Sequence, residues 1–283
     1  MGTVTSTTLR LGLIGGNITA SRSPALHILC GLSVGRNVTY DLLIPAEMRL
    51  TFPELLVHCA AAGFAGVNVT YPHKEEAAAH VPAGDPVVTA MGTSNTVLFT
   101  PQGPRAYNTD YSGFVTAFRA RFGARLPGRV LVLGTGGVGR AVAFGLMTLG
   151  ADEVLLFDTD LAKVLSLSNA MRGHGPCAVR AVGPEVLHDL TGIDGVINCT
   201  PLGMVGRPGS PLPDGATGAP AWAFDAVYTP AETRFRAQLE AMGAAFLSGY
   251  ELYFHQGISA FELFSGGPVN DPVWVRDVLT HHP

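Results

Sequence analysis

Gly134-Thr135-Gly136-Gly137-Val138-Gly139 follows the apolar stretch Val130 to Leu133 and opens a helix-like segment from Arg140 to Leu149. A second apolar run, Val154 to Phe157, ends on Asp158, about 20 residues beyond the last glycine. Strand, glycine turn, helix, strand and acid follow one another as in a dinucleotide-binding βαβ unit. Gly134 permits the tight turn, Gly136 removes the side chain that would obstruct a pyrophosphate, and Gly139 lets the helix close onto the sheet. The phosphates would then meet N–H groups at the helix start. A lone GxGxxG also serves as a plain turn; the two strands and the acid give this one its reading.

Outward from that unit, Val179 to Val182, Gly195 to Cys199, Ala223 to Ala226 and Ala244 to Leu247 are further short apolar runs. With helices between them, the six strands suffice for a doubly wound parallel sheet of Rossmann type. Upstream, Arg10 to Gly15, Val38 to Leu43, Gly66 to Val69 and Asn95 to Phe99 read as strands. Helices are expected at Pro24 to Cys30 and Lys74 to Ala79, and a third follows Thr51, which has the N-cap and Glu54 of a capping box. The expected fold class is therefore α/β and two-lobed. An N-terminal α/β substrate domain spans residues 1–110 and is completed by helices in 250–283; the dinucleotide domain spans 111–249. The tail segments Tyr253 to Phe264 and Val273 to Leu279 have no strand to follow and are expected to fold back on the first lobe.

The chain has 283 residues, 47% of them apolar, with 35 glycines and 20 prolines. Charged residues make up only 14% and the formal net charge is −4, which gives no electrostatic footing for nucleic acid or an anionic membrane. Cys30, Cys59, Cys177 and Cys199 form no CxxC pair, so reduced, buried thiols are expected rather than disulfides or a metal site. No basic segment followed by an apolar core opens the chain, and no apolar stretch reaches about 18 residues, so a cytoplasmic protein is expected. Nothing in the pattern separates a monomer from a homodimer.

Polar residues of the first lobe gather at the ends of apolar runs: Ser21-Arg22-Ser23-Pro24, Asn68 to Lys74, Ser94-Asn95-Thr96 and Asn108-Thr109-Asp110, the last following the fourth strand. Ligands of open α/β sheets sit beyond the carboxyl ends of strands, where such loops converge. Taken singly each has a plain reading: Ser23 as a helix cap, Asn95 as a turn residue, Lys74 as a solvated charge. His27, His73 and the terminal His281 and His282 are expected to be structural or peripheral.

Together these segments resemble the shikimate dehydrogenase superfamily, which includes the quinate/shikimate enzymes. The resemblance rests on Ser21 to His27, Gly66 to Glu75, Gly92 to Thr96, Asn108 to Asp110, the glycine loop, Asn198 to Met204, Asp225 to Pro230 and Gly249 to Gln256. It implies that Ser21 and Ser23 hold a substrate carboxylate, helped by Tyr228. Asn68, Thr70, Asn95, Asp110 and Gln256 would bond the ring hydroxyls, and Lys74 and Asp110 would form the catalytic pair. Removing a hydride from a secondary alcohol carbon requires removal of the hydroxyl proton, and Lys74 is favoured as that acid/base, with a purely electrostatic lysine as the competing role. The cofactor would meet Gly134, Gly136, Gly137 and Val138 in the loop, Asp158 on the second strand, and Thr200, Pro201 and Gly249 beyond.

Three departures bear on cofactor and substrate. NADP-using members commonly carry an asparagine, arginine and hydroxyl run after the second strand, where this chain has Asp158-Thr159-Asp160 and no basic residue before Lys163. A carboxylate there accepts ribose hydroxyls and repels a 2′-phosphate, so NAD is expected over NADP. If Asp158 only caps the following helix, the phosphate is still disfavoured. Tyr111 stands where the family usually has glycine, and Tyr250-Glu251 where it has small or apolar residues. The expected activity is an NAD-preferring shikimate 3-dehydrogenase, reversibly interconverting shikimate and 3-dehydroshikimate, with quinate as a further substrate. The alternatives are an NADP-dependent biosynthetic enzyme, a dehydrogenase of another substituted cyclic polyol acid, and a non-catalytic nucleotide sensor. No metal is expected.

Overall fold

A computed structural model describes residues 8–281. The chain divides into two compact units, Met1–Thr109 with Gln256–Pro283, and Asp110–His255.

In the first unit, β1 (Leu9–Ile14), α1 (Ser23–Ser33), β2 (Val38–Leu43), a short α2 (Pro45–Met48), α3 (Phe52–Ala61) and β3 (Gly66–Val69) come first. Then follow α4 (Lys74–His80), α5 (Pro86–Met91), β4 (Thr96–Thr100) and β5 (Gly103–Tyr107). The sheet order is β2-β1-β3-β4-β5, with β2, β1 and β3 parallel and β4 antiparallel to both β3 and β5. The capping box forms as expected: Glu54 N donates to Thr51 Oγ1, and Thr51 N donates to Glu54 Oε2 at 2.8 Å. Asn108-Thr109-Asp110 follows a fifth strand rather than the fourth. Gly103 to Tyr107 is a half-exposed edge strand with one buried residue, so it lacks the apolar run that marks the others.

Strand alternation sorts the residues of this sheet by face. Val67 and Val69 of β3 join Ile14, Leu43, Phe52, Leu55 and Val97 in the core under α3. Gly66 and Asn68 therefore face the other side.

The second unit runs through α6 (Thr109–Phe122), β6 (Arg129–Leu133), α7 (Gly137–Thr148), β7 (Glu153–Phe157), α8 (Leu161–Met171) and β8 (Ala178–Ala181). It continues with β9 (Gly195–Asn198), β10 (Trp222–Asp225), α9 (Arg234–Ala241), β11 (Ala245–Ser248) and the start of α10 (Gly249–Ser265). All six expected strands are present and parallel, in the order β11-β10-β9-β6-β7-β8. This is the doubly wound arrangement, with its order reversing between β6 and β9. The expected helix in every connection is not found. A single 3₁₀ turn, Pro184–Leu187, precedes β9, and residues 199–221 pass to β10 in turns. The prolines and glycines repeated along that connection break helices.

The last residues of α10 and the final helix α11 (Pro272–His281) belong to the first unit. Phe264 lies where a Cβ on Gly66 would come within 2.3 Å of its ring. Arg36 Nη1 donates to Ser265 O at 2.9 Å, Asn270 Nδ2 to Ser33 O at 3.2 Å, and Arg22 Nη2 to Leu279 O. The four cysteines form no disulfide; Cys30 and Cys59 are buried, whereas Cys177 and Cys199 are only half-buried. Among the described residues no helix is long and apolar enough to cross a membrane, and no group of three or more His, Cys, Asp or Glu is placed to hold a metal ion. Phe264→Ala should cost about 3 kcal/mol in chemical denaturation, because it empties the contact that seats α10 on the first sheet.

Candidate active site

In the first unit, three of the expected substrate ligands share one hydrogen-bond network. Asn95, buried before β4, accepts at Oδ1 from Thr109 N at 2.6 Å and from Thr96 Oγ1 at 3.0 Å. Its Nδ2 donates to Thr109 Oγ1 at 3.0 Å and Gln256 Oε1 at 3.3 Å. Asn68 Nδ2 donates to Thr96 Oγ1 at 3.2 Å, and Tyr40 Oη donates to Asn68 Oδ1 at 2.9 Å. Asn68, Asn95 and Gln256 are thus brought together from β3, the turn before β4, and α10. Asn108 is held separately, its Nδ2 donating to Thr93 O and Oγ1.

Ser21 and Ser23 sit at the start of α1, half-buried, with their hydroxyls 3.2 Å apart. Ser23 does not cap the helix: it is the first helical residue, and its N–H donates to Ser21 Oγ at 3.2 Å. Thr70 and Lys74 lie in the segment beyond β3. The Thr70 N–H donates to Ile14 O, and the Lys74 carbonyl accepts from Ser94 N at 2.8 Å, tying the start of α4 to the turn that carries Asn95. His73 stacks on Phe52 with ring centroids 5.2 Å apart and pairs with Glu76 at 2.8 Å, a structural part. His27 is buried and stacked on Tyr40; burial lowers its pKa to about 3 against the opposing effect of the Asn68 side chain, so it stays neutral.

In the second unit every expected cofactor residue stands at the carboxyl end of the parallel sheet. Gly134 has φ +93°, and a Cβ there would lie 2.8–2.9 Å from the Cys199–Thr200 backbone. A Cβ on Gly139 would come within 2.0 Å of Gly134 O, so this glycine is required by the loop's own carbonyl more than by the sheet. Around Gly136 the space is open within 4 Å. Gly137 and Val138 form the first turn of α7.

Asp158 is bound to this loop. Its Oδ2 accepts from Thr135 N at 2.8 Å and Thr135 Oγ1 at 3.1 Å, and its Oδ1 accepts from Asp160 N at 3.0 Å. Partial burial pushes the carboxyl up, but these bonds together with Lys163 outweigh it and hold it below the usual carboxylate range. The cap of α8 is Asp160, which accepts from Ala162 N, and not Asp158.

Thr200 and Pro201 are organised from below by Asn198. Asn198 Oδ1 accepts from Thr200 N at 2.9 Å and Thr200 Oγ1 at 2.7 Å, while Nδ2 donates to Leu202 O and to Asp225 Oδ1. Asp225 also accepts from Val227 N at 3.0 Å and Thr233 Oγ1 at 2.6 Å, so one buried carboxylate fixes the loop that carries Tyr228. Tyr228 stacks on Tyr253 at 5.3 Å. Gly249 is closed in by the carbonyls of Asp225 and Ala226, 2.6 and 2.5 Å from a Cβ placed there. Asp110 is buried in the first turn of α6. The unusual Tyr111 bonds Thr148 Oγ1 at 2.8 Å, linking α6 to the end of α7.

Thr135, Asn198, Asp225 and Thr233 are organising residues that spacing alone does not single out, although three of them stand within quoted motifs. Tyr40 is missed altogether, since nothing in Val38 to Leu43 marks it beyond strand alternation.

An open glycine cradle at a helix N-terminus, an acid on the next strand and a parallel sheet that reverses its order beside them fit a dinucleotide. The second unit is that of a Rossmann-type dinucleotide-binding protein, carried in one chain with an α/β unit whose polar face is built of amides and hydroxyls. A family model described as shikimate dehydrogenase substrate binding domain matches residues 13–97. The chain is 34% identical to a quinate/shikimate dehydrogenase (NAD(+)) of Corynebacterium efficiens over 90% of this chain and 92% of the relative. It is 38% identical to a shikimate dehydrogenase (NADP(+)) of Streptomyces avermitilis over 90% of each. Among solved structures, quinate dehydrogenase from Corynebacterium glutamicum in complex with NAD aligns with TM-score 0.89 and 30% identity, covering 97% of this chain and 99% of that one. Shikimate 5-dehydrogenase from Thermus thermophilus in complex with NADP(H) and shikimate aligns with TM-score 0.84 and 32% identity, covering 96% and 99%. The chain belongs to the shikimate dehydrogenase family.

Burial raises the Asp225 pKa to about 6, against the hydrogen bonds from Thr233, Val227 and Asn198. An acid raised above its unfolded value near 3.9 stabilises the fold fully below that value and loses the contribution as pH rises through about 6. The stability advantage of the native protein over Asp225→Asn should therefore narrow by on the order of 2 kcal/mol between about pH 4 and 8, measured by denaturant titration.

Proposed function

We propose that this chain is an NAD-preferring shikimate dehydrogenase that also takes quinate, catalysing reversible oxidation of the ring hydroxyl of shikimate to give 3-dehydroshikimate. The observation that carries the cofactor preference is Asp158, a carboxylate held ionised at the end of β7 beside the glycine loop. It meets a 2′-phosphate with like charge, and Lys163 is engaged by Asp160 at 3.8 Å. The NAD-linked Corynebacterium relatives support the same reading. The Streptomyces relative favours the NADP-linked alternative by identity, and the charge at Asp158 weighs against it.

When bound, NAD supplies the acceptor for the hydride that leaves the ring carbon. Lys74 takes the hydroxyl proton during oxidation and returns it during reduction, with Asp110 as its carboxylate partner. Ser21 and Ser23 offer two adjacent hydroxyls to the substrate carboxylate, and Tyr228 assists. Asn68, Thr70, Asn95 and Gln256 hold the ring hydroxyls. Each hydroxyl left unpaired in a dry site costs about 1–3 kcal/mol, which selects against analogues that lack one. The cofactor is held by Gly134, Gly136, Gly137 and Val138, with Thr200, Pro201 and Gly249 along the same sheet edge. Four cysteines that form no disulfide accord with a cytoplasmic, reducing compartment.

A spectrophotometric panel of shikimate and quinate against NAD and NADP tests the reading. Saturable NAD reduction with much weaker NADP reduction is expected, and no reduction of either cofactor by either acid would end the substrate assignment. Lys74→Ala should lower kcat by roughly 10²–10⁴-fold with NADH binding near normal; unchanged turnover would remove its acid/base role. Asp158→Asn should shift the NADP to NAD ratio of kcat/KM toward NADP by roughly tenfold, and an unshifted ratio would remove the account of cofactor choice.

A further inference from the structure

A peptide N–H can only donate and a peptide carbonyl can only accept, so wherever they meet a carboxamide they fix which of its ends is oxygen. Thr109 N–H lies 2.6 Å from Asn95 Oδ1, which sets the Asn95 amide. Its Nδ2 is then aimed at Thr109 Oγ1 and Gln256 Oε1. The Asn95 carbonyl lies 3.5 Å from Asn68 Nδ2, and Thr96 Oγ1 lies 3.2 Å from the same nitrogen while giving its own proton to Asn95 Oδ1. Reversing the Asn68 amide would turn its oxygen against the Asn95 carbonyl, which can only accept. Asn68 Oδ1 therefore faces Tyr40, and the phenol is the donor across their 2.9 Å contact.

Tyr40 is placed for this by the sheet. It pairs in register with Leu11 of β1, whose other neighbour is Gly66 of β3, so its side chain reaches across β1 toward Asn68. The ring is held by stacking on His27, with centroids 4.8 Å apart and planes inclined by 20°. His27 is in turn flanked by Phe264 and Phe261 of α10 at 5.9 and 6.2 Å.

We propose that Tyr40 is a positioning residue for substrate: its hydroxyl fixes the Asn68 carboxamide as a hydrogen-bond acceptor toward the ring acid, while Asn95 turns Gln256 to present its Nε2 as a donor. The proposal rests on the dehydrogenase reading above, in which Asn68 and Gln256 hold ring hydroxyls. It also divides the hydroxyls by chemistry. The oxygen being oxidised becomes a carbonyl, which only accepts, so a fixed acceptor at Asn68 is suited to a hydroxyl that survives the reaction. Donors such as Gln256 Nε2 tolerate either state.

The test is steady-state kinetics of the full chain with shikimate and NAD, for the native protein, Tyr40→Phe and Gln256→Glu, with thermal midpoints recorded. Tyr40→Phe keeps the stacked ring and removes the donor. It should raise the shikimate KM roughly tenfold, leaving kcat within about twofold and the NAD KM and thermal midpoint unchanged. Gln256→Glu replaces the donor by acceptors at constant shape and should raise the shikimate KM at least as much. An unchanged shikimate KM in either variant, or an equal fall in all parameters of Tyr40→Phe, overturns the assignment. A native protein inactive with both acids and both cofactors overturns the dehydrogenase reading and this one with it, whereas an active native protein with an unaffected Tyr40→Phe overturns the positioning role alone.

Discussion

The hydrogen bond from the Thr109 N–H to Asn95 Oδ1, 2.6 Å long and buried, stands where the chain leaves its first unit. A buried peptide N–H must be paired, and here a side chain pairs it at the first residue of α6, where a helix has no internal acceptor to offer. The acceptor comes from the turn before β4, so this bond joins the start of α6 to the strand pair β4 and β5. The same oxygen takes the hydroxyl proton of Thr96, whose oxygen accepts from Asn68 Nδ2, and the Asn95 nitrogen donates to Gln256 Oε1, so Asn68 and Gln256 come under one constraint.

The second unit solves its loop problem with the same chemistry. Asn198 accepts from one loop with its oxygen and donates to Leu202 and Asp225 with its nitrogen, and Asp225 holds the next loop through Val227 and Thr233. A carboxamide is suited to this because it is both donor and acceptor over a short span. The cost of burying the Asp225 carboxylate is only partly offset by three donors, which is why its pKa stays raised. In both units, then, buried amides help to arrange residues at strand ends.

Much of this was legible in the sequence. The glycine loop, its flanking strands and Asp158 announce the parallel sheet, because each step uses a local signal: apolar runs for buried strands, glycines for the turn and the close approach. The Thr51 capping box is equally local. What escaped is non-local or half-exposed. β5 carries one buried residue and so no apolar run, and the connection through residues 199–221 gives no helical periodicity because prolines and glycines interrupt it. In the candidate site, Asn68, Asn95 and Gln256 stand in motifs, but Tyr40 reaches its partner across an intervening strand, a relation that exists only once the sheet order is known. Asp158 was legible as an acid near the cofactor, whereas its second attachment, to Thr135, was not.

That second attachment joins two properties in one side chain. The carboxylate that repels a 2′-phosphate is also the acceptor for the Thr135 N–H and hydroxyl, so it holds the turn on which the pyrophosphate would rest. An exchange of Asp158 for a basic residue strands two donors of a buried threonine at the same moment as it invites the phosphate. In this scaffold a change of charge at position 158 is therefore also a change in what holds residue 135, and the two positions are coupled through one carboxylate oxygen.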